Sequence, residues 1–206
     1  MKYFVCMIFE IMAMIVAYLT NPIVVLFADE YGELPECFKM WGTYDNRSLD
    51  VGWMITEHCV PKWAEYDYNS HYVYHYEKKF NDGTVWPGYV ILLNGNFTLK
   101  ERLQRYVCRV CWLYRNSNYG FSYYVNGVDV NGSDLKVVKN TSEPNNEIFI
   151  AYEKDKDVYN TAWSVFIYKQ YCERFCFRAY LGWKLKGLSD GRHMLAFSIN
   201  PFRRVK

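Results

Sequence analysis

One stretch, residues 98–121, limits the folds open to this chain more than any other, because a start signal, a helical period and a stop signal coincide in it. Thr98 with Glu101 three residues later forms a capping box, in which the Thr hydroxyl accepts from a free backbone N–H and the Glu carboxylate reaches back to the cap. Leu99, Leu103, Tyr106, Val107, Val110, Leu113 and Tyr114 follow at the spacing that lays apolar side chains along one helix face. That face is expected to be buried. The opposite side carries Arg102, Arg105 and Arg109 and then Trp112, a basic stripe continued by an amphipathic ring. Asn116, Asn118 and Gly120 close the stretch with residues that tolerate the left-handed backbone of a helix end.

After this helix the period changes from helical to alternating. Residues 162–172, 174–185 and 193–199 are strand-length runs joined by short polar turns, and Phe175, Phe177, Ala179 and Leu181 alternate with Arg174, Cys176, Arg178 and Tyr180. They predict an antiparallel meander, with 135–139 and 148–152 as further strands. Residues 121–130 predict a hairpin whose tip is Asn126-Gly127, a pair suited to the positive φ angles of a tight turn. Twenty Tyr, thirteen Phe and seven Trp bring the aromatic share to 19%, which favours a pleated surface. Leu103, Val107 and Val110 are expected to pack on the strand face of Phe175, Phe177 and Leu181. The fold class is therefore α+β: an N-terminal hydrophobic helix and one central amphipathic helix packed on an antiparallel β-meander.

Residues 3–28 are almost wholly apolar, interrupted by Glu10 and by Asn21-Pro22. Three readings fit: a membrane segment, a cleaved signal peptide, and a buried or interfacial helix broken near Pro22. Length favours the membrane, provided Glu10 is tolerated there or faces protein. The division of the chain follows: 1–28 as a membrane-associated segment, 29–97 as an irregular aromatic-rich region with short strands, and 98–206 as helix plus sheet, with 29–206 forming one globular domain. Within the middle region, 66–80 and 85–93 read as strands, and Phe38, Trp41, Trp53 and Trp63 are too apolar to belong to a loose linker.

Chemistry-bearing patterns are sparse. His71 and His75 are four apart but lie in a Tyr-rich alternating run without the carboxylate of a metal-binding helix. Seven cysteines include the pairs Cys108/Cys111 and Cys172/Cys176, whose surroundings lack the rest of a zinc or thioredoxin-like site, so unpaired thiols are expected. Asn46, Asn96, Asn131 and Asn140 each begin an N-x-[ST] match, and Asn96 and Asn131 also stand at structural turns. No nucleophile elbow, phosphate loop or zinc-protease motif occurs. Asp45, Asp50, Glu57 and His58 are the densest polar group, and would form an enzyme site only if the fold gathers them. A net charge of +2, spread along the chain, excludes the electrostatic footprint of a general nucleic-acid binder.

Several blocks carry a resemblance. They are Leu19-Thr20-Asn21-Pro22, Leu26-Phe27-Ala28-Asp29, Gly32-Glu33-Leu34-Pro35, Trp112-Leu113-Tyr114-Arg115-Asn116, Tyr119-Gly120-Phe121, Leu181-Gly182-Trp183-Lys184, and Phe197 through Arg203. As a set they resemble a family of small uncharacterised proteins encoded by tailed bacteriophages. The resemblance implies provenance and no chemistry, and a bacterial host would remove the glycosylation reading. The expected function is that of a phage-encoded, membrane-associated, non-enzymatic accessory protein at the host inner membrane, without cofactor or metal, whose partners are the membrane and a host or phage protein. A virion or assembly component and an enzyme are the alternatives. Arg102, Arg105, Arg109 and Trp112 are the candidate partner or lipid surface.

Overall fold

The computed structural model describes residues 2–45, 48–50, 60–64, 72–74, 77–79, 85–87, 90–92, 97–154, 156, 161–187 and 190–205. The chain divides into two compact units, one of Met1–Met14 with Tyr119–Lys206 and the other of Ile15–Asn118. Helix α1, Lys2–Val24, contributes its first turns to one unit and its last turns to the other. Pro22 lies inside it without breaking it. A proline removes the N–H that would bond the carbonyl four residues earlier, here that of Tyr18. The Tyr114 hydroxyl donates to that carbonyl instead, at 3.1 Å, and the two tyrosine rings stack 5.3 Å apart. The helix therefore continues through Pro22 and ends in a 3₁₀ turn, Val25–Phe27.

In the Ile15–Asn118 unit, four short strands pair as nested antiparallel ribbons: β1 (Tyr72–Tyr74) with β4 (Val90–Leu92), and β2 (Glu77–Lys79) with β3 (Val85–Pro87). Helix α2, Leu99–Arg115, begins at the expected capping box. The Thr98 hydroxyl accepts from Glu101 N at 3.3 Å, and Glu101 Oε2 accepts from Thr98 N at 2.7 Å. Asn118, at φ +68°, supplies the left-handed residue beyond its end. The buried face of α2 is the expected one only in part: Leu113 is buried and Tyr106 and Val110 pack against its core, but the face is rotated. Gln104, Cys108, Arg109, Trp112 and Leu113 are buried, whereas Leu103 is 54% exposed and Leu99 is exposed too. Trp112 and Leu113 share their core with Val24, Val25 and Leu49, and Phe38 and Trp41 pack against it. The expected packing of Leu103 on the sheet is thus overturned, because α2 turns its guanidinium side inward, onto a buried carboxylate.

The other unit is built on a five-stranded antiparallel meander. Its members are β6 (Leu135–Glu143), β7 (Asn146–Glu153), β8 (Trp163–Gln170), β9 (Phe175–Trp183) and β11 (Leu195–Arg204), in the order β11-β9-β8-β7-β6. A small ribbon of β5 (Val128–Val130) and β10 (Gly191–His193) lies beside it in sequence. The expected hairpin over 121–130 does not form. Tyr119–Tyr124 is a short helix, α3, and only Val128–Val130 is strand. The reason is tertiary. Asn126 is committed to neighbours, its carbonyl accepting from Trp183 Nε1 at 2.9 Å and its amide reaching Cys6 O at 3.2 Å.

The core of this unit gathers Phe149, Phe166, Tyr180, Trp183 and Leu195 around Tyr3, with Cys6 and Met7 packed against them. Tyr3 donates its hydroxyl to Ala196 O at 3.1 Å, and its ring lies 4.7 Å from that of Trp163. The first turns of α1 therefore fill this core. The alternation in β9 is only partly as expected: Ala179 is buried, but so are Cys176 and Tyr180 of the other face, Tyr180 in register with Phe166, while Phe175 is exposed and Phe177 and Leu181 are half-buried. Gly182 holds φ +90°, and a Cβ there would lie 2.0 Å from the Trp163 carbonyl oxygen. That kink lets Tyr180 and Trp183 enter one core although they stand three positions apart.

Candidate functional site

Asp50 is the most heavily engaged side chain of the Ile15–Asn118 unit. Arg105 donates to it through Nε and Nη2 at 3.2 and 2.7 Å, and Arg109 does so at 2.7 and 2.8 Å. Each guanidinium is a two-pronged fork on one carboxylate. The same arginines reach back to the chain beside it, Arg109 Nη2 to Asp29 O at 3.3 Å and Arg105 Nη2 to Glu30 O. Backbone pairing of Leu49 N with Gly32 O at 2.8 Å, and the Ser48 hydroxyl on Tyr31 O at 2.6 Å, fix the two loop segments together. Gly32, at φ +79°, approaches so closely that a Cβ would stand 2.6 Å from Asp50 Oδ2. Burial pushes the Asp50 carboxyl up, and the hydrogen bonds and charges of Arg109 and Arg105 outweigh it, holding the group below the ordinary carboxylate range.

This arrangement divides the basic stripe. Arg105 and Arg109 are inward members of a buried ion cluster, Trp112 is in the core, and Arg102 is exposed with its Nε on Phe97 O at 3.3 Å. Guanidiniums so occupied hold the fold rather than offer donors to a headgroup. Of the alternative enzyme group, Asp45 is exposed and Asp50 has both oxygens occupied by arginine, while Glu57 and His58 lie outside the described residues, as do His71 and His75. The Cys108 thiol donates to Ala64 O at 3.2 Å, and Cys172 and Cys176 are free thiols.

A second feature is α1 itself. Its protein-facing side is apolar at the two ends, at Tyr3 and Val24, and small or polar between them, at Glu10, Ala13, Ala17 and Asn21, whereas its outward side is large and apolar, with Leu19 74% and Phe4 63% exposed. Glu10, the charge within the apolar run, is held by protein: Ser122 Oγ donates to Oε1, and Asn126 Nδ2 to Oε2 at 2.7 Å. Neither Ser122 nor Asn126 carries a sequence signal for this role, since the contacts cross more than a hundred residues. Lys2–Phe27 is long and apolar enough to cross a bilayer.

A third feature opens on the sheet, a cavity of about 320 Å³ lined by Glu147, Phe166, Tyr168, Cys176, Arg178 and the 203–205 segment. Its row of Glu147, Tyr168 and Arg178 lies next to the core row of Phe149, Phe166 and Tyr180 in the same register.

Fold and site together define an α+β chain whose first helix turns its polar side to protein and its apolar side outward. The chain belongs to a family of unknown function, DUF7338, which it matches over residues 1–206. No curated protein and no solved structure matches it.

Proposed function

We propose that this chain is a bacteriophage-encoded accessory protein held at the inner membrane of the host cell by the outward face of α1, where it engages an envelope component without catalysing a reaction. The observation that carries this reading is the inverted polarity of α1. A helix at the surface of a water-soluble domain buries its apolar side and exposes its polar side. Here Glu10 and Asn21 point to protein while Phe4, Ile8, Ile15 and Leu19 point away from it. Each such side chain gains about 1.5–3 kcal/mol on leaving water. A lipid surface supplies that gain along the whole helix, and the protein contacts on its polar side suit a helix lying in the interface. Phage provenance is supported by the sequence blocks given above.

Fractionation of cells producing the full chain tests the reading. The protein should stay in the membrane pellet through high salt and carbonate and be released by detergent, and Ile15→Glu with Leu19→Lys should move it to the soluble fraction. Recovery of the unsubstituted chain in the carbonate supernatant would overturn the reading. Abundant peptides from purified virions, with none in the membranes of infected cells, would replace it with a structural role.

A further inference from the structure

The C-terminal strand is bent for a purpose that the core does not explain. Along β11 and β9 the partners run Ser198 with Tyr180 and Asn200 with Arg178, then shift so that Arg203 stands opposite Cys176. In an unbroken ladder the residue opposite Cys176 would be Phe202. One extra residue in a strand moves everything beyond it to the other face of the sheet. The extra residue here, in the Pro201-Phe202 segment, leaves Phe202 exposed and puts Arg203 on the face of Arg178 and Tyr168. Pro201 is tolerated because β11 is an edge strand.

The result is a concave basic site. Arg178, Arg203 and Arg204 line the cavity of about 320 Å³, and its single lining carboxylate, Glu147, is paired with Lys186. Phe166 forms an apolar wall, with the Arg178 guanidinium 5.7 Å and Lys186 Nζ 4.2 Å from its ring centre. Among the described residues, neither Arg178 nor Arg203 has a carboxylate partner, unlike Arg105, Arg109 and Arg192. Both are half-buried. Burial and the neighbouring Arg203 charge hold Arg178 below the ordinary guanidinium pKa, a strain that a bound anion would relieve.

We propose that this cavity binds a phosphate monoester, its phosphate gripped by Arg178 and Arg203 and its organic part lying toward Phe166. Two forked guanidiniums match the oxygens of a phosphate better than a single carboxylate. Three lining arginines, beside one acid already paired with Lys186, leave an excess suited to a dianion. The cavity also has room for more than the phosphate group. Such a group reaches a protein either on a soluble ester or on a lipid headgroup, and the recognition chemistry is the same.

The full chain in a maltoside detergent, titrated at low salt by calorimetry, provides the test. Inorganic phosphate and glycerol 3-phosphate represent the soluble source, and dioctanoyl phosphatidic acid the lipid. Saturable heat with glycerol 3-phosphate assigns a soluble ester, and saturable heat with the lipid alone assigns a headgroup. Arg178→Gln and Arg203→Gln should each weaken binding about tenfold or more. Arg174→Gln, exposed and away from the cavity lining, should leave it unchanged. The ligand-free melting temperature of Arg178→Gln should equal or exceed that of the unsubstituted chain, which separates lost binding from lost folding. Absence of saturable binding for all three probes, or an equal loss in Arg174→Gln, would overturn the proposal.

Discussion

The Tyr114 hydroxyl takes the place of a backbone donor for the Tyr18 carbonyl, the oxygen that Pro22 leaves without its helical partner. Tyr114→Phe should therefore destabilise the chain by about 1 kcal/mol, the usual net worth of such a bond. The same substitution made on Pro22→Ala, which restores the missing N–H, should cost much less. Melting temperatures of the four proteins of this cycle in detergent check the coupling, and equal costs in both backgrounds would show that the hydroxyl does not serve the carbonyl.

Asp50 is the shared carboxylate partner of two arginines that are themselves largely buried. Asp50→Ala should cost about 3–5 kcal/mol, because it leaves those charges uncompensated. Arg102→Gln, on an exposed side chain, should change the melting temperature little.

The same carboxylate sets an acid limit. Its pKa is lower in the folded chain than the ordinary 3.8. A depressed carboxyl contributes its full stability above the unfolded value and loses it as pH falls through the folded one. Stability should be insensitive to this group at neutral pH and decline below about pH 4, and the gap between the unsubstituted chain and Asp50→Asn should close over that range. Melting curves between acid and neutral pH measure it.

Leu103 and Leu113 distinguish the two faces of α2. Leu113 is fully buried and Leu103 is largely exposed. Leu113→Ala should cost about 2–5 kcal/mol, whereas Leu103→Ala should stay within about 0.5 kcal/mol. Denaturation of the paired variants would show at once if the helix were rotated the other way.

Glu10→Leu makes α1 more apolar and should still weaken the fold, by about 1–3 kcal/mol, since Ser122 and Asn126 lose their acceptor. Membrane recovery should be unchanged while the melting temperature falls. A rise in melting temperature would show that the carboxylate is a burden rather than an anchor.

Features written in local sequence were legible. The Thr98–Glu101 cap lies within one turn, and the meander declares itself by alternation over residues 162–199, so both emerge from neighbours a few positions apart. What escaped depends on distant chain. The apolar count of α2 put Leu103 inside, but Asp50, more than fifty residues away, draws Arg105 and Arg109 inward and rotates the helix. The Tyr-rich 121–124 stretch has strand composition, yet Ser122 and Asn126 answer to Glu10. Arg178 was visible as one of an alternating set, but its companion was not. A single-residue shift at Pro201-Phe202 decides which face Arg203 occupies, and no periodicity reveals a bulge in advance.

The Tyr3 hydroxyl finds its acceptor at Ala196, 193 residues further along the chain. At ribosomal speeds of about 5–20 residues per second, Tyr3 is made roughly ten to forty seconds before the strand it locks onto. Through that interval the ring of Tyr3 has no finished core to enter. The order of synthesis thus leaves the Tyr3 turn to be covered last, by the strand that completes its unit.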